Sequence, residues 1–109
     1  MTGIVTVYAT FADAEEAARI ARALIEERLA ACANILGPVR SIYRWEGEIQ
    51  DGAEVAALFK TAAGQAEALI ARLAALHSYD VPAAVVWPIC AAHPAYADWI
   101  KGESVPRSG

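Results

Sequence analysis

Four side chains of this sequence are soft donors of the kind that bind transition metals: Cys32, His77, Cys90 and His93. Cys90 and His93 stand three residues apart around a predicted turn, a spacing that lets a thiolate and an imidazole hold one ion. His93 also directly precedes Pro94, where a side chain can cap the start of a helix. Two donors fall short of the three or four that a transition-metal site needs. The sequence leaves both interpretations of the pair open.

The other two donors also have simple structural interpretations. Cys32 follows the first predicted helix, where a lone cysteine usually acts as a small buried hydrophobe, and a reactive or metal-binding thiol is the alternative. His77 falls at the end of the second predicted helix, which favours a role as C-terminal cap. The two cysteines are too few and too far apart to predict a disulfide scaffold or a zinc knuckle.

A second group of residues suggests a pocket for a small organic ligand. Lys60 ends a predicted strand and can present its ammonium to a cleft between subunits, near Trp45 and Tyr79. Aromatic walls with one cation suit a small anion or metabolite. The alternatives are that Lys60 ends its strand in water and discourages edge pairing, and that Trp45 packs in a subunit interface. The candidate cleft residues are Cys32, Trp45, Lys60 and Tyr79.

Composition argues against several classes of function. A chain of 109 residues is the size of one domain. The net charge of −4, from 9 basic and 13 acidic residues, predicts no nucleic-acid partner, because phosphate binding needs a clustered basic face. No apolar window approaches the roughly 18 uncharged residues that a spanning helix needs. The start of the chain lacks the basic residues of a signal peptide. We therefore expect a cytoplasmic protein without a membrane partner.

An enzyme is the least expected class of protein. No nucleophile is paired with a base, and no two carboxylates stand at a workable spacing for acid–base chemistry. Asp13 and Glu16 have a structural interpretation as the capping box of a helix that begins at Ala14.

Periodicity and turn signals predict the order strand, helix, strand, strand, helix, strand, helix. The first strand is expected at residues 4–10 and the second helix after Gly64. The last strand, at residues 83–87, is placed at a sheet edge because Pro88 cannot donate to a ladder. A proline at the first position favours a last helix that begins at Pro94.

The middle of the chain predicts a long β-hairpin. A short strand at residues 33–36 bends at Gly37, a long strand follows at 39–50, and the return strand occupies 54–61. Asp51-Gly52 is a strong two-residue turn signal, because both residues tolerate positive φ. Gly47 within the long strand predicts a bulge. Arms of about nine paired residues would be roughly 30 Å long.

This order predicts an α+β fold of the ferredoxin-like type: a βαββαβ antiparallel sheet with both main helices on one face and an added C-terminal helix. The other face is then uncovered. The residues assigned to that face and to the hairpin are too apolar to remain in water: Tyr43, Trp45, Val55, Phe59 and Trp87. We therefore predict an obligate oligomer. One domain is expected at residues 1–102, followed by a flexible tail at 103–109.

Four motifs, in this order, resemble the CutA divalent-cation tolerance family. They are Leu-Ala-Ala-Cys-Ala-Asn-Ile from Leu29, Tyr-Arg-Trp-Glu-Gly from Tyr43, His-Ser-Tyr-Asp-Val-Pro from His77, and Pro-Ala-Tyr-Ala-Asp-Trp-Ile from Pro94. The resemblance covers residues 5–103 without large insertions. It implies a homotrimer, similar to the PII signalling proteins, in which long hairpins extend the sheets of neighbouring subunits. It also implies a non-enzymatic role in tolerance to copper and other divalent cations.

The resemblance further implies where a metal would bind. The ligand positions of copper-binding members correspond to Ala9, Leu76 and His77, so His77 is the one candidate ligand retained. The first hypothesis is therefore a protein of metal homeostasis that binds Cu(II) or another divalent cation weakly. The second is a PII-like sensor that binds a small anionic metabolite in the intersubunit cleft. The third is a scaffold for another protein.

Overall fold

The computed structural model describes residues 2–105, and its elements follow the predicted order. They are β1 (Ile4–Phe11), α1 (Ala14–Glu26), β2 (Cys32–Trp45), β3 (Glu48–Ala62), α2 (Ala66–Leu76), β4 (Ala84–Pro88) and α3 (Pro94–Glu103). The four strands form one antiparallel sheet in the order β2-β3-β1-β4, so β1 is central and β4 lies at an edge. The predicted ferredoxin-like α+β fold is confirmed.

The start of α1 matches the predicted capping box. The Asp13 carboxylate accepts a hydrogen bond from the Glu16 amide at 2.8 Å, which satisfies one of the free N–H groups in the first turn. The Glu16 carboxylate reaches back to the amide of Ala12, at 3.1 Å, one residue before the cap. The two bonds fix the direction in which the chain leaves β1.

The sheet buries one face under α1 and α2. Alternate residues of β1, namely Val7, Ala9 and Phe11, are fully buried against these helices. Phe59 joins this core and meets Phe11 edge to face, with ring centroids 6.1 Å apart. Val55 packs against the same cluster. The prediction that placed Phe59 and Val55 on the uncovered face is therefore wrong, because the alternation of β3 directs both toward the helices.

The opposite sheet face is open over most of its length. Tyr8 and Trp87 pack together there, with ring centroids 5.1 Å apart, and half of the Trp87 surface is exposed, at 50%. Helix α3 covers only the end where β1 begins, in a small cluster with Ile4. We call this surface the open face.

The hairpin turns at a different place from the predicted one. The last pair of its ladder is Trp45 with Glu48, so Glu46 and Gly47 form a two-residue turn with φ of 51° and 83°. These values are typical of a type I′ turn. Asp51 lies inside β3, and the irregularity in β2 falls at residues 35–37 instead of Gly47. The predictions of a turn at 51–52 and a bulge at 47 are both wrong.

Replacing Gly47 or Gly52 with alanine distinguishes the observed turn at residues 46–47 from the predicted turn at residues 51–52. We expect Gly47→Ala to destabilise the protein by about 1–2 kcal/mol, because a Cβ is unfavourable at positive φ. A Cβ at either Gly47 or Gly52 meets no atom within 4 Å, so only the backbone differs. Gly52 does not have positive φ, and we expect Gly52→Ala to be neutral or to stabilise by up to about 1 kcal/mol. Urea unfolding measures the free energy of unfolding of both variants. An equal loss of stability in the two variants would contradict a turn at residues 46–47.

The C-terminal helix is longer than predicted. Glu103 belongs to α3, and Ser104 is buried, with its hydroxyl oxygen accepting from the amide of Ala62 at 3.0 Å. The predicted tail at 103–109 thus overlaps the end of α3 at Glu103; its flexibility stays a prediction, and residues 106–109 lie outside the described residues. None of the helices in residues 2–105 is long and apolar enough to span a membrane.

Candidate ligand-binding cavity and the His77 loop

A cavity of about 470 Å³ opens beside the end of β1, between the hairpin and the segment that joins α2 to β4. Its lining combines aromatic and acidic side chains with small ones: Thr10, Tyr43, Trp45, Glu54, Tyr79, Asp80, Val81 and Ala83. Tyr43 and Trp45 are two residues apart on β2, so they share the open face. Two of the four predicted cleft residues, Trp45 and Tyr79, therefore meet in one cavity.

Tyr79 is held in the cavity by Glu54. The Tyr79 hydroxyl donates to the Glu54 carboxylate at 3.0 Å. Burial, followed by this hydrogen bond and the Glu54 charge, raises the pKa of Tyr79 to about 12. The phenol therefore keeps its proton at neutral pH.

The structure does not bring Lys60 and Cys32 to the cavity. They face each other across β2 and β3, and the Lys60 ammonium donates to the side-chain oxygen of Asn34 at 3.0 Å. Lys60 is six residues beyond Glu54 along β3, or roughly 20 Å. The Cys32 sulfur lies 3.5 Å from the Tyr96 hydroxyl. Within one chain, Lys60 therefore lies away from Trp45 and Tyr79, and the predicted cleft between subunits stays a prediction.

His77, the predicted metal ligand, is buried and uses both ring nitrogens. Its Nδ1 accepts the amide proton of Tyr79 at 3.0 Å, and its Nε2 donates to the carbonyl of Thr10 at 2.8 Å. The ring stacks on Phe11, with centroids 5.0 Å apart and planes 17° apart. His77 also occupies the C-cap position of α2. In this arrangement neither nitrogen offers a free lone pair to a metal.

The remaining candidate donors do not complete a metal site. Ala9 is buried in the core, and Leu76 packs against that core. His93 caps α3, its Nδ1 accepting from the amide of Ala95 at 3.2 Å, and Cys90 is an exposed thiol. Within residues 2–105, no three His, Cys, Asp or Glu side chains lie close enough together to hold a metal ion.

Glu16 connects the helix start to the His77 loop, a role that the sequence did not reveal. One oxygen accepts from Ala12 and the other accepts from the amide of Ser78 at 2.9 Å. Burial acts to raise the pKa of Glu16, but the hydrogen bonds from Ser78 and Ala12 outweigh it and hold that pKa below its ordinary value. The capping motif predicted only the local bond, because the contact with Ser78 depends on how α1 and α2 pack.

Glu54 and Asp80 are the functional candidates that the sequence analysis missed as cavity residues. The available signal was Glu54, which directly precedes the apolar run of residues 55–59 in the same strand. Charged residues on such strands are usually paired or placed for a purpose.

Comparison with known proteins gives one family. A model described as CutA1 divalent ion tolerance protein matches residues 5–103. The divalent-cation tolerance protein CutA of Thermus thermophilus is 48% identical over 88 residues, which are 80% of this chain and 85% of that protein. The crystal structure of CutA from Xylella fastidiosa has a TM-score of 0.91 at 38% identity, covering 94% of this chain and 99% of that one.

A plant relative is longer than this chain. Protein CutA 1, chloroplastic, of Oryza sativa is 37% identical over 100 residues, which are 92% of this chain and 56% of that protein. The chain thus spans little more than half the length of that relative. The family model covers nearly the whole chain, and the fold agrees with the solved structure. The chain therefore belongs to the CutA1 divalent ion tolerance protein family.

Proposed function

We propose that this protein acts in tolerance to divalent cations as a homotrimer and catalyses no reaction. One observation supports the assembly: large apolar side chains are half exposed across the open face and the hairpin. They are Ile42 at 62%, Tyr43 at 48%, Trp45 at 47%, Ile49 at 66%, Val85 at 49% and Trp87 at 50%. Exposed apolar side chains in this number usually mark an interface.

The shape of the hairpin favours a closed ring of subunits. Its arms are 14 and 15 residues long, and residues 42–53 are all exposed in the single chain. Strand β2 is an edge strand, so its outer N–H and C=O groups are available for pairing with another chain. A cyclic assembly gives every hairpin a neighbour and every open face a cover. Three copies are what the family resemblance implies.

We further propose that Cu(II) or another divalent cation binds weakly and exchangeably. The resemblance implies His77 as a ligand, but coordination there needs the release of a hydrogen bond to Thr10 or Tyr79. The exposed pair Cys90 and His93 is the alternative, since the cap hydrogen bond of His93 engages Nδ1 and not Nε2. Two donors support weak binding only.

A Cu(II) titration tests this metal binding. We expect His77→Gln to leave the calorimetric isotherm unchanged, because the ring nitrogens are already engaged, and His93→Gln to weaken it. Glutamine at residue 77 can still donate to the Thr10 carbonyl, so the fold is disturbed less than by alanine. A loss of Cu(II) binding in His77→Gln would show that the loop opens and that His77 is the ligand. A wild-type protein with no measurable heat would remove metal binding from the proposal.

Sensing of an anionic metabolite is the less favoured function. The cavity has the predicted aromatic walls, but the charged residues in its lining are Glu54 and Asp80, and Lys60 lies elsewhere in the chain.

A cytoplasmic location also stays a proposal.

A further inference from the structure

We propose that a second cavity, between the end of α1 and α3, binds a free α-amino acid with an apolar side chain. Its volume of about 330 Å³ falls in the range of small-molecule pockets, roughly 300–1,000 Å³. The lining comes from the end of α1, the connection to β2, and α3. The hairpin residues 42–53 and the side chains of β1 and β4 do not contribute to it. Binding therefore needs neither a free hairpin nor a metal.

The end of α1 fixes the backbone of Arg28, which lines this cavity. The Arg28 amide donates to the carbonyl of Ile25 at 3.1 Å, and the Leu29 amide donates to that of Leu24 at 2.9 Å. These are the two bonds of a Schellman motif. Arg28 occupies the position where such a motif usually has glycine, with φ of 61°. A side chain kept at an unfavourable backbone position indicates that the side chain has a use.

The Arg28 guanidinium is available to a ligand carboxylate. Its Nη1 atom lies 3.5 Å from the Glu103 carboxylate, and the Arg28 side chain is one-third exposed, at 33%. Close charge-assisted hydrogen bonds are shorter, at about 2.7–2.9 Å. By comparison, Arg72 holds Glu27 through two bonds of 2.9 and 3.1 Å. A carboxylate that makes two parallel hydrogen bonds to Arg28 can therefore replace Glu103.

The other charges of the lining suit an amino group. Glu26 and Glu103 line the cavity together with Arg28, so it carries one positive and two negative charges. A ligand carboxylate on Arg28 leaves Glu103 able to accept from the ligand ammonium. A simple anion would meet two carboxylates, and a divalent cation would find too few oxygen ligands beside a guanidinium. A zwitterion has a partner for each of its charges.

The remaining lining suits an apolar ligand side chain. Trp99 and Ile25 are partly exposed, at 46% and 38%, so a solute can reach them, and the buried Ala30 and Ala31 leave room beside them. Tyr96 stacks on Trp99, with ring centroids 5.9 Å apart and planes 27° apart, which restricts the indole. A restricted indole gives an aromatic ligand ring a surface on which to pack.

The test compares L-phenylalanine with two analogues that each lack one charge: 2-phenylethylamine has no carboxylate, and 3-phenylpropanoate has no ammonium. We expect calorimetry on the full chain to give saturable L-phenylalanine binding with a dissociation constant of about 1 mM. Each analogue should bind about tenfold more weakly or worse, because a charged partner in the cavity loses its hydrogen bond. Equal affinity for either analogue would overturn the proposal. Absence of saturable L-phenylalanine binding by the folded wild-type protein would also overturn it, whatever its oligomeric state.

Variants of Arg28 test the assigned carboxylate partner. Arg28→Lys keeps the charge but removes the two-pronged donor, so L-phenylalanine should bind about tenfold more weakly. Arg22→Lys is the matched control on the exposed side of α1 and should leave binding unchanged. Arg28→Gly should abolish binding and keep the fold, verified by circular dichroism, because glycine suits this backbone position. Undiminished binding by either Arg28 variant, or equal weakening by Arg22→Lys, would contradict the assignment.

Discussion

Trp87→Arg is expected to dissociate the protein into folded single chains. Trp87 lies on the edge strand β4, and its side chain is half exposed on the open face beside Tyr8. In a single chain, arginine there reaches water at little cost. In an assembly that covers the open face, its charge is buried without a partner. Such central aromatic positions commonly contribute 2 kcal/mol or more, so we expect the dissociation constant to rise by about 30-fold or more.

Ile25→Arg is the control for this substitution. Ile25 is also an exposed apolar residue, at 38%, but it lies on α1, which packs against the opposite face of the sheet. Sedimentation velocity over a dilution series measures both variants, with circular dichroism to verify the fold. If Trp87→Arg sediments like the wild type, or if Ile25→Arg dissociates equally, the open face is not the interface.

Glu16→Ala is expected to cost about 2–3 kcal/mol of stability. The substitution removes the acceptor of two backbone amides, those of Ala12 and Ser78, and each amide that is left without a partner near the protein interior costs about 1 kcal/mol or more. The loop that carries His77 and Tyr79 loses its tie to α1, so we also expect faster amide hydrogen exchange at Ser78. Urea unfolding at one fixed protein concentration measures the loss.

The loss caused by Glu16→Ala should depend on pH. Because folding lowers the pKa of Glu16 below its ordinary value of 4.5, the charged carboxylate stabilises the folded state above that value. This contribution falls as the pH drops through the folded-state pKa. The difference in the free energy of unfolding between wild type and Glu16→Ala should therefore be largest at neutral pH and become smaller in acid. Glu15→Ala, on the exposed side of the same turn, should cost only a few tenths of a kcal/mol at either pH. A difference that grows in acid would contradict the assigned hydrogen bonds.

The sequence predicted the elements whose signals are local. The capping box of Asp13 and Glu16 and the proline at the start of α3 placed two helices at the correct residues. The hairpin turn was missed because Asp51-Gly52 is a better isolated turn than Glu46-Gly47. Pairing along the whole length of both arms decides the register, and it also joins Arg40 to Asp51 through two hydrogen bonds of 2.8 and 2.7 Å.

The candidate site was predicted less completely than the fold. Trp45 and Tyr79 do line one cavity, because the strand alternation and the loop after α2 bring them together. Within one chain, the pairing of Lys60 with Thr6 places it near the start of β1 and away from this cavity, and the predicted cleft between subunits stays a prediction. The engagement of both His77 nitrogens depends on Thr10 and on the Tyr79 backbone. No spacing in the sequence reveals such contacts.

The mass of the unmodified protein in solution tests whether other copies of this chain cover the open face. Native mass spectrometry together with light scattering should give three times the chain mass of 11.6 kDa at micromolar concentration. Fluorescence should show tryptophans shielded from water under the same conditions. A single-chain mass with water-exposed tryptophans, and a thermal midpoint that does not change on dilution, would show that no other copy covers the open face.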